Sequence, residues 1–211
     1  MKIVIVDYDS GNLHSAEKAF AKVADELGNR EVIVTDDADV IASADYLLLP
    51  GDGAFPACRK ALMTKTGVFD AIDHAVSARG NPFLGICVGM QMLGRDSDEY
   101  ELTSGFGWID GHVREIPAAP SLKVPHMGWN DLAITQDHPI MADVRTGAHV
   151  YFVHSYHMEM AAQDQRIAHC AYGTDLTAIV GRDNILGFQF HPEKSQAVGL
   201  TLIKNFLTWA P

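Results

Sequence analysis

Apolar and polar positions follow two regimes along the chain. Residues 3–6 (Ile-Val-Ile-Val) are apolar and β-branched throughout, which predicts a strand buried on both faces. After a turn at 9–11, apolar residues recur at helical spacing over 12–27 (Leu13, Ala16, Phe20, Val23, Leu27), and Gly28 supplies the stop. Further strands are predicted at 32–34, 46–49 and 83–86, with a short helix at 38–42. Pro50-Gly51-Asp52-Gly53 breaks the third strand, and 56–79 reads as mainly helical with a break near Gly67. Strand–helix alternation over the first hundred residues predicts a parallel sheet with helices on both faces.

The second half changes rhythm. Segments 108–115, 131–135, 148–153, 167–171, 177–181 and 185–190 read as strands joined by Gly, Pro, Asn and Asp turns, and a helix closes the chain at 194–209. The expected fold is α/β: an open, twisted, mostly parallel sheet with helices on both faces and antiparallel strands added in the second half. No repeat, low-complexity tract or linker interrupts the pattern, so a single domain over 1–211 is expected.

Composition narrows the function classes. Hydrophobic residues make up 47% and charged residues 20%, ordinary for a globular protein, and the net charge is -11. No basic patch stands out to neutralise phosphates, which argues against nonspecific nucleic-acid binding. No apolar run approaches the ~20 residues of a membrane span, and the start lacks the features of a signal peptide. Three widely spaced cysteines make no disulfide framework and suit a reducing cytoplasm.

Gly85-x-Cys87-x-Gly89 follows a predicted apolar strand and opens a helical segment. Glycines two residues either side leave room for a sharp elbow that presents a side chain at the strand's carboxyl end. A following helix would direct N–H groups and its dipole at the sulfur, favouring the reactive thiolate. The same five residues also suit a buried cysteine in a tight turn. A thiolate that forms a thioester needs a proton shuttle, and one histidine of ten stands apart. His191-Pro192-Glu193 ends an apolar strand just before a helix and carries its own carboxylate. In isolation that tripeptide also suits a strand end with an unrelated glutamate, and its distance from Cys87 is not legible from spacing. The other nine histidines look unexceptional. His154 and His157, three apart on a strand, point to opposite faces and make a poor metal pair. No metal and no cofactor are expected.

Taken with Met90-Gln91 and Phe190, these motifs resemble those of the class I (triad) glutamine amidotransferases. Asp7-Tyr8, Gly11-Asn12-Leu13, Leu49-Pro50-Gly51-x-Gly53-Ala54-Phe55, Pro125-His126-Met127-Gly128-Trp129-Asn130 and Tyr151 to Tyr156 narrow the resemblance. Within that family they are similar to the glutaminase subunits of imidazole glycerol phosphate synthase. The resemblance implies a triad of Cys87, His191 and Glu193 acting on L-glutamine. It implies an oxyanion hole of backbone N–H groups from Val88 and from Asp52 or Gly53, and substrate contacts from Gln91, Glu99, Ser155 and Tyr156. It also implies a partner, a (β/α)8-barrel cyclase, with Asn12, Trp129 and Asn130 as docking candidates.

Two positions depart from the usual pattern: Asp52, where an apolar residue is common, and His157, where an aromatic often follows Ser-Tyr. A carboxylate facing an oxyanion would oppose catalysis, so the Asp52 side chain is expected to point away. The Gly51–Asp52 peptide is expected not to act as a donor until the partner is engaged, since flanking glycines permit a flip. Three other readings compete: a glutaminase subunit for another synthase such as pyridoxal phosphate synthase, a cysteine hydrolase of the α/β type, and a catalytically dead docking subunit. The Pro-His-x-Gly-Trp-Asn segment argues against the first. In the α/β hydrolases the acid precedes the histidine, whereas Glu193 follows His191. The intact Cys87, His191 and Glu193 set weighs against the third.

Overall fold

The computed structural model describes residues 1–117 and 122–211. Strand β1 (Lys2–Val6) is buried from Ile3 onward, as its unbroken apolar run requires. Helix α1 (Leu13–Leu27) buries Ala16, Phe20, Val23 and Ala24, a single stripe at helical spacing, and ends at Gly28 with φ 69°. Strand β2 (Glu31–Thr35) leads to α2 (Ala38–Ala42), whose first N–H groups are capped by the Asp37 carboxylate. Strand β3 (Tyr46–Gly51) is buried along its whole length. Helices α3 (Phe55–Thr64) and α4 (Val68–Asp73) meet at Gly67, the expected break, where φ is 75°. A π-helical turn, His74–Ala78, extends α4 before β4 (Phe83–Cys87).

A single turn, α5 (Val88–Gln91), follows β4. Strands β5 (Asp96–Ser97), β6 (Thr103–Ser104) and β7 (Gly111–Glu115) come next, then β8 (His126–Ile134), β9 (Ala148–His154) and β10 (Tyr156–Met160). The hairpin β11 (Arg166–Tyr172) and β12 (Thr174–Arg182) turns at Gly173 (φ 74°) and leads to β13 (Ile185–Phe188) and α6 (Gln196–Thr208).

Nine strands form one mixed sheet in the order β2-β1-β3-β4-β13-β12-β11-β8-β9. The junctions from β2 through to β13 are parallel, and those from β13 to β9 are antiparallel. The antiparallel part is thus larger than the chain pattern suggests, because β8 begins at His126 rather than 131. A second, four-stranded sheet (β10-β7-β5-β6) is not hydrogen-bonded to the first but packs against it through β10 and β12. Strands β5, β6 and β10 have no counterpart in the sequence reading, and the expected strand at 108–115 starts only at Gly111. The two-residue strands β5 and β6 carry no alternation to detect, and β10 follows β9 after a single residue, Ser155, with no turn signal between them.

The register positions the site. Strand β4 lies between β3 and β13, both parallel to it, with Gly51 opposite Cys87 and Phe188 opposite Ile86. The chain therefore leaves β3, β4 and β13 at one edge, where Gly51, Cys87 and His191 converge. Crevices at the carboxyl ends of parallel strands are where α/β folds bind ligands.

Candidate active site

Cys87 ends β4 with φ 55° and ψ -114°, a left-handed conformation rare for a residue with a side chain. Close packing of the elbow explains its glycines. A Cβ on Gly89 would lie 1.8 Å from the Leu49 carbonyl oxygen, and one on Gly85 would lie 2.5 Å from the Gly89 oxygen. Gly51 is equally confined, since its Cβ would meet the Gly89 nitrogen at 2.6 Å. The expected helix after the nucleophile is one turn only, so its aligned dipole is small. Its contribution is instead the N–H groups of the first turn, beginning with Val88, which have no preceding helical carbonyl to pair with.

His191 is buried at the exit of β13, and its Nδ1 lies 2.8 Å from Glu193 Oε1. Ser195 Oγ donates to the His191 carbonyl at 2.6 Å and accepts from the Tyr151 N–H at 3.0 Å, which fixes the turn. The other ring nitrogen, Nε2, is buried with no hydrogen-bond partner. Burial works against a charged His191, but the facing Cys87 and the Glu193 carboxylate outweigh it and raise the imidazole to about 9. The arrangement therefore holds a protonated imidazole beside the sulfur at neutral pH, with Nε2 free for a proton transfer.

A cavity of about 240 Å³ opens at Cys87. Asp52, Gly53 and Val88 line it together with Gln91, Glu99, Ser155 and Tyr156, and Pro125, Val153 and His154 complete the wall, with the Val153 carbonyl 3.9 Å from the Cys87 sulfur. Every residue expected to contact substrate or oxyanion thus lies on one cavity. Glu99 has a structural duty as well: Oε2 accepts from the Phe55 N–H at 2.8 Å, at the start of α3. Burial pushes its carboxyl up, against that hydrogen bond. Gln91 Nε2 donates to the Tyr156 carbonyl at 2.9 Å and to Gln189 Oε1 at 3.1 Å, so its amide is positioned by the protein.

The Asp52 side chain is exposed. Its N–H donates to Ser10 Oγ at 3.3 Å, while Ser10 Oγ and Cys58 Sγ donate to its carbonyl at 2.9 and 3.3 Å. Ser10 does not line the cavity, so the peptides on either side of Asp52 are tied to the turn behind them.

The docking candidates divide. Trp129 is 47% exposed and shares the outer face of β8 with Met127, which is 62% exposed. Asn130 is one residue further and points the other way, with its amide bound to His126 Nε2 and the Ala171 carbonyl. Asn12, half-buried, precedes α1. The three do not form one surface set. The sequence pattern offers His154 only as a poor metal ligand and His126 only as part of a motif, whereas the two are buried and hydrogen-bonded to each other. Their alternation with apolar neighbours in a β pattern was the available signal. Among the described residues no three His, Cys, Asp or Glu side chains are grouped to hold a metal ion, and no helix is long and apolar enough to cross a membrane.

Comparison with known proteins agrees with this geometry. The family model for class-I glutamine amidotransferases matches residues 4–209. The chain is 58% identical to the imidazole glycerol phosphate synthase subunit HisH of Cereibacter sphaeroides and 58% identical to that of Ruegeria pomeroyi, each over the full length of both chains. The HisH subunit of Rhodospirillum rubrum is 50% identical, again over both full lengths. Among solved structures, a glutamine amidotransferase superposes with a TM-score of 0.72 at 19% identity, covering 97% of this chain and 96% of the other. The acivicin-bound glutaminase domain of Trypanosoma brucei CTPS gives 0.69 at 15% identity, covering 100% and 95%. A cysteine on a strained elbow, a raised histidine with its carboxylate, and this full-length similarity lead to one assignment: the chain belongs to the class I glutamine amidotransferase family.

Proposed function

We propose that this chain is the glutaminase subunit of an imidazole glycerol phosphate synthase, releasing ammonia from L-glutamine for a (β/α)8-barrel cyclase in histidine biosynthesis. The observation that carries the reading is the convergence of Cys87 and the His191–Glu193 pair at the edge of adjacent parallel strands, with Cys87 opening on a cavity sized for a small metabolite. Full-length identity to subunits of that name supports the pathway.

In this reading the Cys87 thiolate attacks the glutamine carboxamide carbon. The oxyanion that forms is stabilised by the Val88 N–H and, once turned inward, the Asp52 or Gly53 N–H. The His191 imidazolium gives its Nε2 proton to the leaving nitrogen; the C–N bond breaks, ammonia departs and a glutamyl thioester remains. Neutral His191 then takes a proton from water as that water attacks the thioester, which releases glutamate and restores the starting pair. Glu193 orients the ring and stabilises its charged form. Glu99 offers a negative charge to the substrate ammonium, and Gln91, Ser155 and Tyr156 shape the pocket around it.

Ammonia passed through a closed interface escapes dilution and protonation in water. Trp129 and Met127 supply an exposed apolar face for that contact, with Asn12, while the half-buried Asn130 lies on the other face of β8 with its amide engaged by His126 and Ala171. The chain acts as one domain over 1–211 in the cytoplasm, consistent with its free cysteines. Ammonia release from glutamine, measured with and without the cyclase for wild type and Cys87→Ala, tests the assignment. Activity that survives in Cys87→Ala refutes it.

A further inference from the structure

Beside the pocket, and outside the groups assigned to the reaction, two buried histidines touch. His126 opens β8 and His154 ends β9, and the antiparallel register sets them opposite each other. His126 Nδ1 lies 3.0 Å from His154 Nε2. His154 Nδ1 lies 2.9 Å from the Tyr156 carbonyl, and Asn130 Nδ2 lies 3.2 Å from His126 Nε2.

The direction of each hydrogen bond is forced. The Tyr156 carbonyl can only accept, so His154 carries its hydrogen on Nδ1. A neutral His154 then accepts at Nε2, and His126 must donate from Nδ1. His126 accepts in turn at Nε2, where Asn130 supplies the hydrogen. The Asn130 amide is oriented independently, since Nδ2 also donates to the Ala171 carbonyl at 3.1 Å and Oδ1 accepts from the Asp131 N–H at 2.8 Å. Burial keeps both rings neutral, lowering His126 to about 4 and His154 to about 3. The His126 ring is held between Phe152 and Tyr172, with centroids at 4.7 and 4.1 Å and interplanar angles of 27° and 30°. Its nitrogens are therefore fixed in direction.

The chain of bonds ends at the cavity. The Tyr156 carbonyl accepts from His154 and also from Gln91 Nε2, and Gln91, His154, Ser155 and Tyr156 all line the pocket. Two imidazoles are costly to bury, and an aliphatic pair would fill the same space between β8 and β9 more cheaply. What an aliphatic pair lacks is a directed donor to the Tyr156 carbonyl.

We infer that His126 and His154 are positioning residues, a one-way hydrogen-bond relay from Asn130 that sets the Ser155–Tyr156 wall and Gln91 for substrate. The relay hands on an orientation and no proton. Its inner face is β8, whose outer face carries Met127 and Trp129, so the strand that presents the exposed apolar face also holds the pocket wall. The inference rests on the proposed glutaminase reading of that pocket.

The test measures glutamine hydrolysis by the complex with the cyclase for wild type, His154→Phe and His154→Asn. Phe keeps a ring and loses the donor; Asn keeps an N–H where Nδ1 stood. His154→Phe is expected to raise KM for glutamine roughly tenfold, the worth of one hydrogen bond, with kcat little changed, and His154→Asn to restore KM. An unmoved KM in a folded His154→Phe, or equal damage by Asn and Phe, overturns the relay. Nitrogen-15 NMR of the wild-type chain decides the matter even if the Phe variant fails to fold. Both rings are expected as neutral Nδ1–H tautomers at pH 7, and an Nε2–H tautomer on either overturns the relay. A wild-type complex inert toward glutamine defeats the glutaminase reading, and the pocket role with it. An active wild type with an unmoved KM defeats the relay alone.

Discussion

Replacing Ser10 by alanine tests whether the oxyanion strand is restrained from behind. In the structure the Asp52 N–H donates to Ser10 Oγ at 3.3 Å, and the same hydroxyl donates to the Asp52 carbonyl at 2.9 Å. Both ends of one residue's backbone are therefore held by a single side chain in the turn after β1. A net hydrogen bond is worth about 0.5–1.5 kcal/mol. Losing both shifts the orientation equilibrium of the two peptides that Asp52 joins, Gly51–Asp52 through its N–H and Asp52–Gly53 through its carbonyl, by about 1–3 kcal/mol together, or roughly 5- to 150-fold. Cys58 Sγ, which donates to the same carbonyl at 3.3 Å, survives the change and keeps the effect toward the low end. A missing oxyanion donor costs roughly 10²–10³ in rate, so the gain has room to show. Ser10→Ala is expected to raise glutamine hydrolysis by the isolated chain about 5- to 30-fold, while hydrolysis in the complex changes little. Ammonia release at saturating glutamine, with and without the cyclase, reads both. Two results refute the reasoning: an isolated variant no faster than wild type, or an isolated wild type already as fast as the complex.

Three further outcomes follow from the geometry. Gly89→Ala must move its new Cβ from 1.8 Å off the Leu49 oxygen to an ordinary 3.4 Å, against backbone that belongs to β3. It should abolish activity and cost about 1–3 kcal/mol of stability or more, seen as a lower Tm; a stable, active variant would show the elbow is looser than described. Glu193→Gln removes one of the two groups that hold His191 at about 9. His191 then gives up its proton at lower pH, so the alkaline limb of kcat/KM should move toward acid, by about one pH unit for every 1.4 kcal/mol of charge stabilisation lost; an unmoved limb rules out that role for the carboxylate. Burial depresses His126 to about 4 and His154 to about 3 from the usual 6.5, so the unfolded chain binds the extra protons. Their contribution is complete above pH 6.5 and is lost progressively as pH falls from there toward the folded values, about 2 kcal/mol each by pH 5. Urea unfolding at pH 7 and pH 5 should show His154→Asn losing less stability than wild type over that interval.

What the chain pattern determined by itself was local. The unbroken β-branched run at Ile3–Val6, the stripe of Ala16, Phe20 and Val23, and the break at Gly67 all state their structure within one or two turns, because burial period and steric freedom are properties of neighbouring residues. The Gly85-x-Cys87-x-Gly89 elbow belongs to the same class, since its strain and its glycines lie within five residues. The tripeptide His191-Pro192-Glu193 carried its own hydrogen bond. Family resemblance then supplied the substrate pocket, whose members the fold gathers on one cavity.

Tertiary structure decided everything that depends on register. Cys87 and His191 meet because β13 lies parallel beside β4, a pairing made across about a hundred residues that no local period encodes. Trp129 and Asn130 part because adjacent residues on a strand face opposite ways, and only the start of β8 at His126 shows that they stand on one. The same register turns His126 and His154, two polar residues that sequence reading left as unremarkable, into a buried pair with every proton assigned. Whether the Asp52 N–H faces the cavity or Ser10 is likewise a matter of one peptide's rotation. That rotation is set by contacts from a turn some forty residues away, so it lies beyond what neighbouring side chains can specify.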